Sequence, residues 1–405
     1  MKVLHITAQK PNSTGSGIYM SAVVKGFKDL GYQQAIIAGI DKDDVKTLPI
    51  EGIKFYPVQY NTKQLPFNVL GMSDTMPYAS TRYKDMDNEM VIRFKEIFKE
   101  NIEKVIDEFK PNKIICHHLY LLTALVRETV KDIPVVAICH GTCIRQLGSH
   151  DLEKEYILKN IKKLDMIFAL HEEQRKQIIS IFDVNEGKVK VLGSGYDQNI
   201  FFENKKDQVN NKKLNITYAG KIAEAKGVKS LIKSLEQLNH YKDILNINII
   251  GDGHDQYEYD EIVNLVKYSN HNINFLGKIE QTKLASVFRE THLFILPSFY
   301  EGLPLVVIEA LASGCSVVTT DIPGVKEWIG DKINNSGKIN YVSLPKMKAI
   351  GVVKNKEELD NFESNLANSI ENMIIKIKDK SIMNKSIKIQ DKTWSGLCIR
   401  LESMI

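Results

Sequence analysis

The sequence predicts an α/β protein built from two doubly wound parallel sheets in tandem. Three features point there. Short β-rich runs alternate with helix-period stretches, the pattern of parallel strands covered by helices on both faces. The runs fall into two series, at 3–7, 35–38, 113–116, 135–138, 166–169 and 189–192, then at 215–218, 247–250, 273–276, 293–296 and 316–319. Between the series, 203–213 is polar and without periodicity, as a linker is. The expected domains are therefore 1–202 and 214–380, with 381–405 closing as a helix around Trp394 and Leu397 that packs back on the first domain.

The chain has 405 residues, enough for two buried cores, and its 43% apolar and 26% charged composition excludes small stapled folds and disordered chains. A net charge of +4 is too balanced to announce a nucleic-acid protein, so no nucleic-acid partner is expected. Five cysteines without C-x-x-C spacing or paired histidine ligands read as reduced thiols in a cytoplasm. The N-terminus turns polar at Gln9 and Lys10, and no run reaches the ~20 apolar residues of a spanning helix, so a soluble protein is expected. Six lysines against two aspartates over 376–392 leave weak contact with an anionic membrane surface open. A solvated connector is the alternative, favoured because the candidate docking helix 82–104 mixes acids and bases evenly.

Ligands of such sheets bind beyond the C-terminal strand ends, which makes the following loops the chemical part of the chain. After the run ending near Leu296, a loop carries Glu301 and Gly302, and Pro304 suits a first helical position. The helix 305–312 is almost wholly apolar, yet Glu309 lies within it. A buried carboxylate needs hydrogen-bond donors. Paired hydroxyls such as those of a ribose would supply them, and so would a buried Arg or Lys. The start of this helix also favours a phosphate through its unpaired N–H groups and dipole. Gly220 and Lys221, then Lys226 and Gly227, follow the first run of the second series and precede a helix at 228–238. The two lysines are placed to converge on a diphosphate and steady a departing anion, against the plainer reading of a solvated pair. Gly251-Asp252-Gly253 is a tight turn that permits close backbone approach, and Gly277-Lys278 offers main chain to a nucleobase edge. Asp321 to Glu327, with Gly324, is a third loop of the kind.

In the first domain, Gly15-Ser16-Gly17 belongs to a loop of small residues leading into a helix. It fails the dinucleotide fingerprint, because the third glycine would fall on Met20 and the loop is too long. A flexible loop closing over a sugar diphosphate is the expectation. His140 sits just past a strand, facing the cleft expected between the domains, and His117 and His118 rank below it.

Together, Gly15-Ser16-Gly17, His140-Gly141, Gly195-Tyr196-Asp197 with Phe201, Gly220-Lys221 with Lys226-Gly227, Gly251-Asp252-Gly253, and Glu301 with Glu309 resemble the retaining GT-B glycosyltransferases of family 4. The likeness spans essentially the whole chain, and the two glutamates around Glu-Gly-Leu-Pro are its most specific part. It implies a GT-B architecture of two Rossmann-like domains with an interdomain cleft and a returning C-terminal helix. It implies that Glu301 meets hydroxyls of the donor sugar and Glu309 holds the ribose. Lys221 and Lys226 would neutralise the leaving diphosphate, helped by the main chain of Gly302, Leu303, Leu305 and Val306. His140 would contact the sugar near the breaking bond, and Gly17 would let backbone approach phosphates and acceptor. No cofactor or metal is implied, in keeping with the lack of an Asp-x-Asp motif or a His/Cys cluster. Two positions depart from the family: Lys221 stands where arginine is usual, replacing a bidentate fork by a point charge, and Ser194 stands where asparagine is frequent.

The expected reaction is transfer of a sugar from a nucleotide diphosphate donor, a UDP-sugar being favoured, to an acceptor hydroxyl on a saccharide, lipid-linked or small molecule. Retention is what the resemblance implies, and a front-face displacement is expected because no carboxylate nucleophile is evident. A sugar-nucleotide epimerase, which needs no acceptor, and a catalytically silent sugar-nucleotide-binding protein are the alternatives. A nicotinamide oxidoreductase ranks last, given the failed glycine fingerprint.

Overall fold

A computed structural model of the chain describes residues 1–11, 13–44, 52–73, 76–203, 213–253, 255–349, 351–382 and 389–405. Most of the polar segment 203–213 and the middle of the lysine-rich stretch 376–392 lie outside the described residues.

The first sheet has seven strands: β1 (Lys2–Thr7), β2 (Gln33–Asp41), β3 (Lys54–Tyr60), β4 (Lys113–His117), β5 (Val135–Ile138), β6 (Met166–Ala169) and β7 (Val189–Val191). Their order is β3-β2-β1-β4-β5-β6-β7, and every pair is parallel. The second sheet has six: β8 (Leu214–Ala219), β9 (Leu245–Ile250), β10 (Asn272–Gly277), β11 (Leu293–Leu296), β12 (Ser316–Thr320) and β13 (Ile339–Val342). Their order is β10-β9-β8-β11-β12-β13, again all parallel. In each sheet the chain reverses its direction of travel at the first strand, which makes the fold doubly wound. The central strands, such as β5 and β11, are buried along their whole length, as parallel strands between two helical layers must be.

Two edge strands have no counterpart in the sequence expectation. Pro57 interrupts β3, and proline in a strand argues for an edge position, where its missing N–H leaves no ladder bond unmade. The four-residue β13 is short and only half-buried at its centre, so it carries little of the hydrophobic signal.

The chain forms two compact units, Met1–Ser194 with Trp394–Ile405, and Gly195–Thr393. The division falls eight residues before the expected 202, and the returning piece begins at Trp394 rather than at 381. That piece is the helix Trp394–Met404, packed on the helix Gly15–Asp29. A Cβ at Gly26 would lie 2.3 Å from Cys398 Sγ, so the missing side chain is what admits the second helix. The Tyr19 ring meets Trp394 edge-on at 5.0 Å, and the Tyr32 hydroxyl donates to Glu402 at 2.8 Å.

The Gly-Ser-Gly stretch differs from expectation. Gly15, Ser16 and Gly17 are the first turn of the helix Gly15–Asp29, not a flexible loop. Thr14 caps that turn by accepting the Gly17 N–H at 3.1 Å, and a capped helical turn has little freedom to close over a ligand.

In the second unit the strand ends are stitched to one another through backbone. The Gly220 N–H donates to Ile250 at 3.0 Å, the Ile222 N–H to Asp252 at 2.9 Å, and the Gly251 N–H to Gly277 at 3.0 Å. Gly251 has φ +144°, and a Cβ there would stand 1.8 Å from the Gly220 carbonyl oxygen. Gly251→Ala is therefore expected to lower the free energy of unfolding by roughly 2–3 kcal/mol, read as a drop in the urea midpoint. An unchanged midpoint would show that the loops are not joined in this way.

Candidate active site

The chemistry of the second unit gathers where β11 ends. The loop after it, Pro297 to Gly302, runs against the loop that follows β8. The Phe299 N–H donates to Ala225 at 3.0 Å. Gly227 lets the two loops approach, since at φ +68° a Cβ there would meet the Pro297 carbonyl oxygen at 2.1 Å. This backbone contact brings Lys226 and Glu301 together although 75 positions separate them in sequence. The Lys226 ammonium lies 2.7 Å from Glu301 Oε1 and donates to the Tyr300 carbonyl at 3.0 Å. The same oxygen, Glu301 Oε1, also accepts from the Ser298 hydroxyl at 2.9 Å. Both charged side chains keep about a fifth of their surface exposed, 22% for Lys226 and 21% for Glu301, so the pair remains open to a ligand.

Past Gly302 and Leu303, both half-buried, Pro304 caps the helix Leu305–Ala312. Proline precedes the first helical residue here rather than being it. Leu305 and Val306 form the half-buried first turn, whose N–H groups have no intrahelical acceptor. Glu309, one turn on, is only 7% exposed. Among the described residues no hydrogen bond or ion pair reaches its carboxylate, and burial pushes its pKa up from 4.5 to about 8. The buried Arg or Lys that the sequence left open is therefore not its partner.

Lys221 is exposed at the mouth of the β8 loop, and its carbonyl is fixed by the Tyr218 hydroxyl at 2.6 Å. Gly220, Gly251 and Gly277 sit side by side through the backbone bonds of the strand ends. Asp252 turns its side chain outward while its carbonyl takes part in the stitching, and Lys278 is exposed beyond Gly277. Gly324 caps the helix Val325–Ile329, and in that loop Lys326 pairs with Asp321 at 2.5 Å.

In the first unit, His140 follows β5, is 7% exposed, and precedes the helix Gly141–Ser149. Burial, and then the charge of His118, hold its imidazole well below the usual range, so it is neutral at physiological pH. Among the described residues nothing hydrogen-bonds its buried Nε2. Ser16 reaches His118 Nε2 at 3.0 Å and Gln9 Oε1 at 3.3 Å, so the Gly-Ser-Gly turn and the residue after β4 share one hydrogen-bond network. The His118 and His140 rings lie 4.9 Å apart, and Tyr19 packs edge-on against His140 at 5.1 Å.

The structure thus joins Lys226 to Glu301, sets Gly220, Gly251 and Gly277 together, and ties Ser16 to the histidine cluster. It also adds residues that the sequence reading passed over. Ser298 and Tyr300 position the ion pair, and a polar Pro-Ser ahead of Glu301 was their available signal. Cys143, three residues after His140 at the third helical position, bonds the His140 backbone, a spacing legible once the helix start is known, while Gln9 bonds His118, which the sequence ranks below His140. Among the described residues no group of three or more His, Cys, Asp or Glu side chains is arranged to hold a metal ion, and no helix is long and apolar enough to cross a membrane.

Two family models match the chain: Glycosyltransferase Family 4 over residues 14–199, and Glycosyl transferases group 1 over residues 199–342. An uncharacterized glycosyltransferase of Methanocaldococcus jannaschii is 26% identical over 327 residues, covering 71% of this chain and 76% of its own. Sucrose-phosphate synthase from Thermosynechococcus elongatus superposes with a TM-score of 0.71 at 14% identity, covering 100% of this chain and 98% of that one. Anabaena HepE, solved in complex with UDP and glucose, gives a TM-score of 0.70 at 14% identity, covering 100% and 99%.

The raised pKa of Glu309 makes a signed prediction. The folded chain holds this proton more tightly than the unfolded chain, so the contribution to stability is full below pH 4.5 and is lost as pH rises toward about 8. Glu309→Gln keeps the shape and has no proton to lose. Its urea midpoint should match the wild type near about pH 4 and exceed it increasingly up to about pH 8. Parallel curves would mean that the carboxylate is already compensated.

Proposed function

Because the chain belongs to the GT-B glycosyltransferases of family 4, we propose that it moves a sugar from a UDP-sugar to an acceptor hydroxyl with retention at the anomeric carbon. The observation that carries this reading is Glu309: a buried carboxylate with no partner among the described residues, one turn inside a helix that follows the loop of the Glu301–Lys226 pair. A ribose offers two adjacent hydroxyls as donors, and a nucleoside diphosphate places its phosphates on the same side as that ribose. The first-turn N–H groups of the helix Leu305–Ala312 would then face the diphosphate. Lys226 would exchange part of its contact with Glu301 for a phosphate oxygen, with Lys221 adding a second positive charge. Freed from part of its ion pair, Glu301 accepts from hydroxyls of the donor sugar. The main chain at Gly277 and Lys278 is suited to a nucleobase edge, and Gly220, Gly251 and Asp252 line the same strand ends.

In the first unit the neutral imidazole of His140 is suited to a sugar hydroxyl, because an uncharged ring does not oppose the positive charge that develops at the anomeric carbon. Gly15, Ser16 and Gly17 present a narrow helical turn to the acceptor side. The bond from the anomeric carbon to the leaving phosphate breaks as the acceptor oxygen bonds on the same face. The acceptor proton passes to a phosphate oxygen, so that UDP leaves carrying it. Positive charge around the departing diphosphate is the chief aid to such a step. The lysines and the helix start supply it, which supports a reaction without a divalent cation. Five free, buried cysteines suit a reducing cytoplasm. The lysine-rich 376–392 suits weak contact with anionic lipid, which co-sedimentation with anionic and neutral vesicles would separate from a wholly soluble location.

Binding of UDP tests the carrying observation. Donor hydroxyls favour the charged form of Glu309, so at neutral pH binding should release a fraction of a proton. Calorimetry in buffers of different ionisation enthalpy reads this, and the release should vanish in Glu309→Gln. Glu309→Ala should weaken UDP by about tenfold or more, and unchanged affinity would remove Glu309 from the site. With EDTA present throughout, wild-type transfer should persist, and Lys226→Ala should lose about a hundredfold in turnover. Near-normal turnover in that variant would sink the role given to Lys226.

A further inference from the structure

Beside His140 lies a buried group of polar side chains that the reaction as described does not use. Cys143 is fully buried in the first turn of the helix Gly141–Ser149. Its sulfur receives the backbone N–H of His140 at 3.2 Å and that of Leu119 at 3.2 Å, and it faces His118 Nδ1 at 3.5 Å. The Cys139 thiol, just past β5, donates to the His140 carbonyl at 3.7 Å. On its far side, the His118 ring places Nε2 2.9 Å from Gln9 Oε1 and 3.0 Å from Ser16 Oγ. An amide oxygen only accepts, so Nε2 carries a hydrogen. Nδ1 then either accepts the thiol proton or, protonated, donates to a sulfur anion.

The crowd of donors around the sulfur decides between these. Two backbone N–H groups, the His118 ring and the positive end of a nine-residue helix all converge on one atom, an environment that favours thiolate. Burial alone would push the Cys143 thiol up. Its interactions with the neighbouring Cys139 and with His118, and the Leu119 N–H, outweigh it and hold the thiol well below its usual range. The other titratable neighbours stay neutral: burial pushes Cys139, Tyr83 and Tyr120 up, and the His140 imidazole down. His118 also has φ +81°, a conformation that side chains other than glycine adopt only when their surroundings hold them there. Its N–H donates to Ile138 at 3.1 Å, and its carbonyl accepts the Thr123 hydroxyl.

We propose that Cys143 and His118 form a buried thiolate–imidazolium pair that positions His140 and Ser16 for the reacting sugar. The thiol proton resides on His118 Nδ1. The sulfur anion fixes the backbone of His140 and Leu119, while the imidazolium, through Nε2, fixes Gln9 and Ser16 in the first helical turn. One ion pair thereby sets the strand ends and two helix starts in a single geometry. Both are positioning residues, and their role rests on the placement of His140 and Ser16 at the sugar.

Absorbance at 240 nm, where thiolates absorb, tests the pair in the intact chain. At pH 7 the wild type should show the signal of one thiolate, and both Cys143→Ser and Cys143→Ala should lose it. In His118→Gln its titration should move up by at least a full pH unit. Amide exchange at His140 and Leu119 should quicken tenfold or more in Cys143→Ala, with the amides of β4 and β5 unchanged. With UDP-glucose as probe donor, Cys143→Ser should lower turnover about tenfold while UDP affinity stays within twofold of wild type. No thiolate signal at pH 7, or a signal that survives in Cys143→Ser, would overturn the pair. A signal that behaves as expected alongside wild-type turnover in Cys143→Ser would overturn its positioning role. His140→Ala separates the two levels: full turnover in that variant would refute the placement of His140 at the sugar and leave the thiolate standing.

Discussion

A carboxylate buried in an apolar helix without a partner constrains everything around it. Leu305–Ala312 is the segment of the second unit least suited to a charge, since its neighbours are Val307, Ile308, Ala310 and Leu311, all buried. A glutamine would fill the same space with no ionisation to oppose. Glu309 is held in the form that burial favours, protonated up to about pH 8, and so stands ready to ionise when donors arrive. Such a group gains most from a partner that supplies donors, and the proposed function rests on it. The helix that carries it follows directly on the loop of the Lys226–Glu301 pair.

Rigidity supplies the second part of the argument. Preorganised charge is effective only if the backbone that bears it does not have to move. At the strand ends of the second unit that backbone is fixed by bonds between loops rather than within them. Gly251 lies on Gly220, Gly227 lies on Pro297, and Ala225 accepts from Phe299. Glycine at 227 and 251 reflects contact distance and backbone angle together. The ion pair of Lys226 with Glu301 keeps an ammonium in place without neutralising it beyond reach, since the pair is partly exposed and its attraction correspondingly screened.

Much of this was legible in the chain itself. The eleven strands read from β-rich runs all occur, with ends shifted by no more than two or three residues, because central strands buried between helical layers leave an apolar run and the edge strands β7 and β10 still keep a β-rich one. Two of the four edges were not legible: Pro57 breaks the pattern of β3, and β13 is too short to show one. Around the site, Glu309 was conspicuous as a charge among apolar neighbours, and Lys226 and Glu301 as charges at strand ends. Their direct pairing was not, since it depends on a backbone bond between loops far apart in sequence. The Gly-Ser-Gly turn misled because three small residues read as a loop. Thr14, a hydroxyl residue just ahead of them, was the helix-start signal that outweighed their low propensity.

The two units also divide the electrostatic work. The second carries open charge at its strand ends: an exposed lysine at 221, an ion pair at 226 and 301, and a carboxylate poised to ionise. The first is arranged the other way, with aromatic rings and imidazoles packed against one another and His5, His117 and His140 all held neutral by burial. A histidine cluster in which every ring carried a proton would repel itself and unfold, and one with no fixed charge would leave the rings without orientation. The proposed charge on the one ring that faces the Cys143 sulfur resolves both difficulties. It leaves His140 uncharged, with no hydrogen bond from the described residues to its Nε2, the state that the proposed contact with a sugar requires.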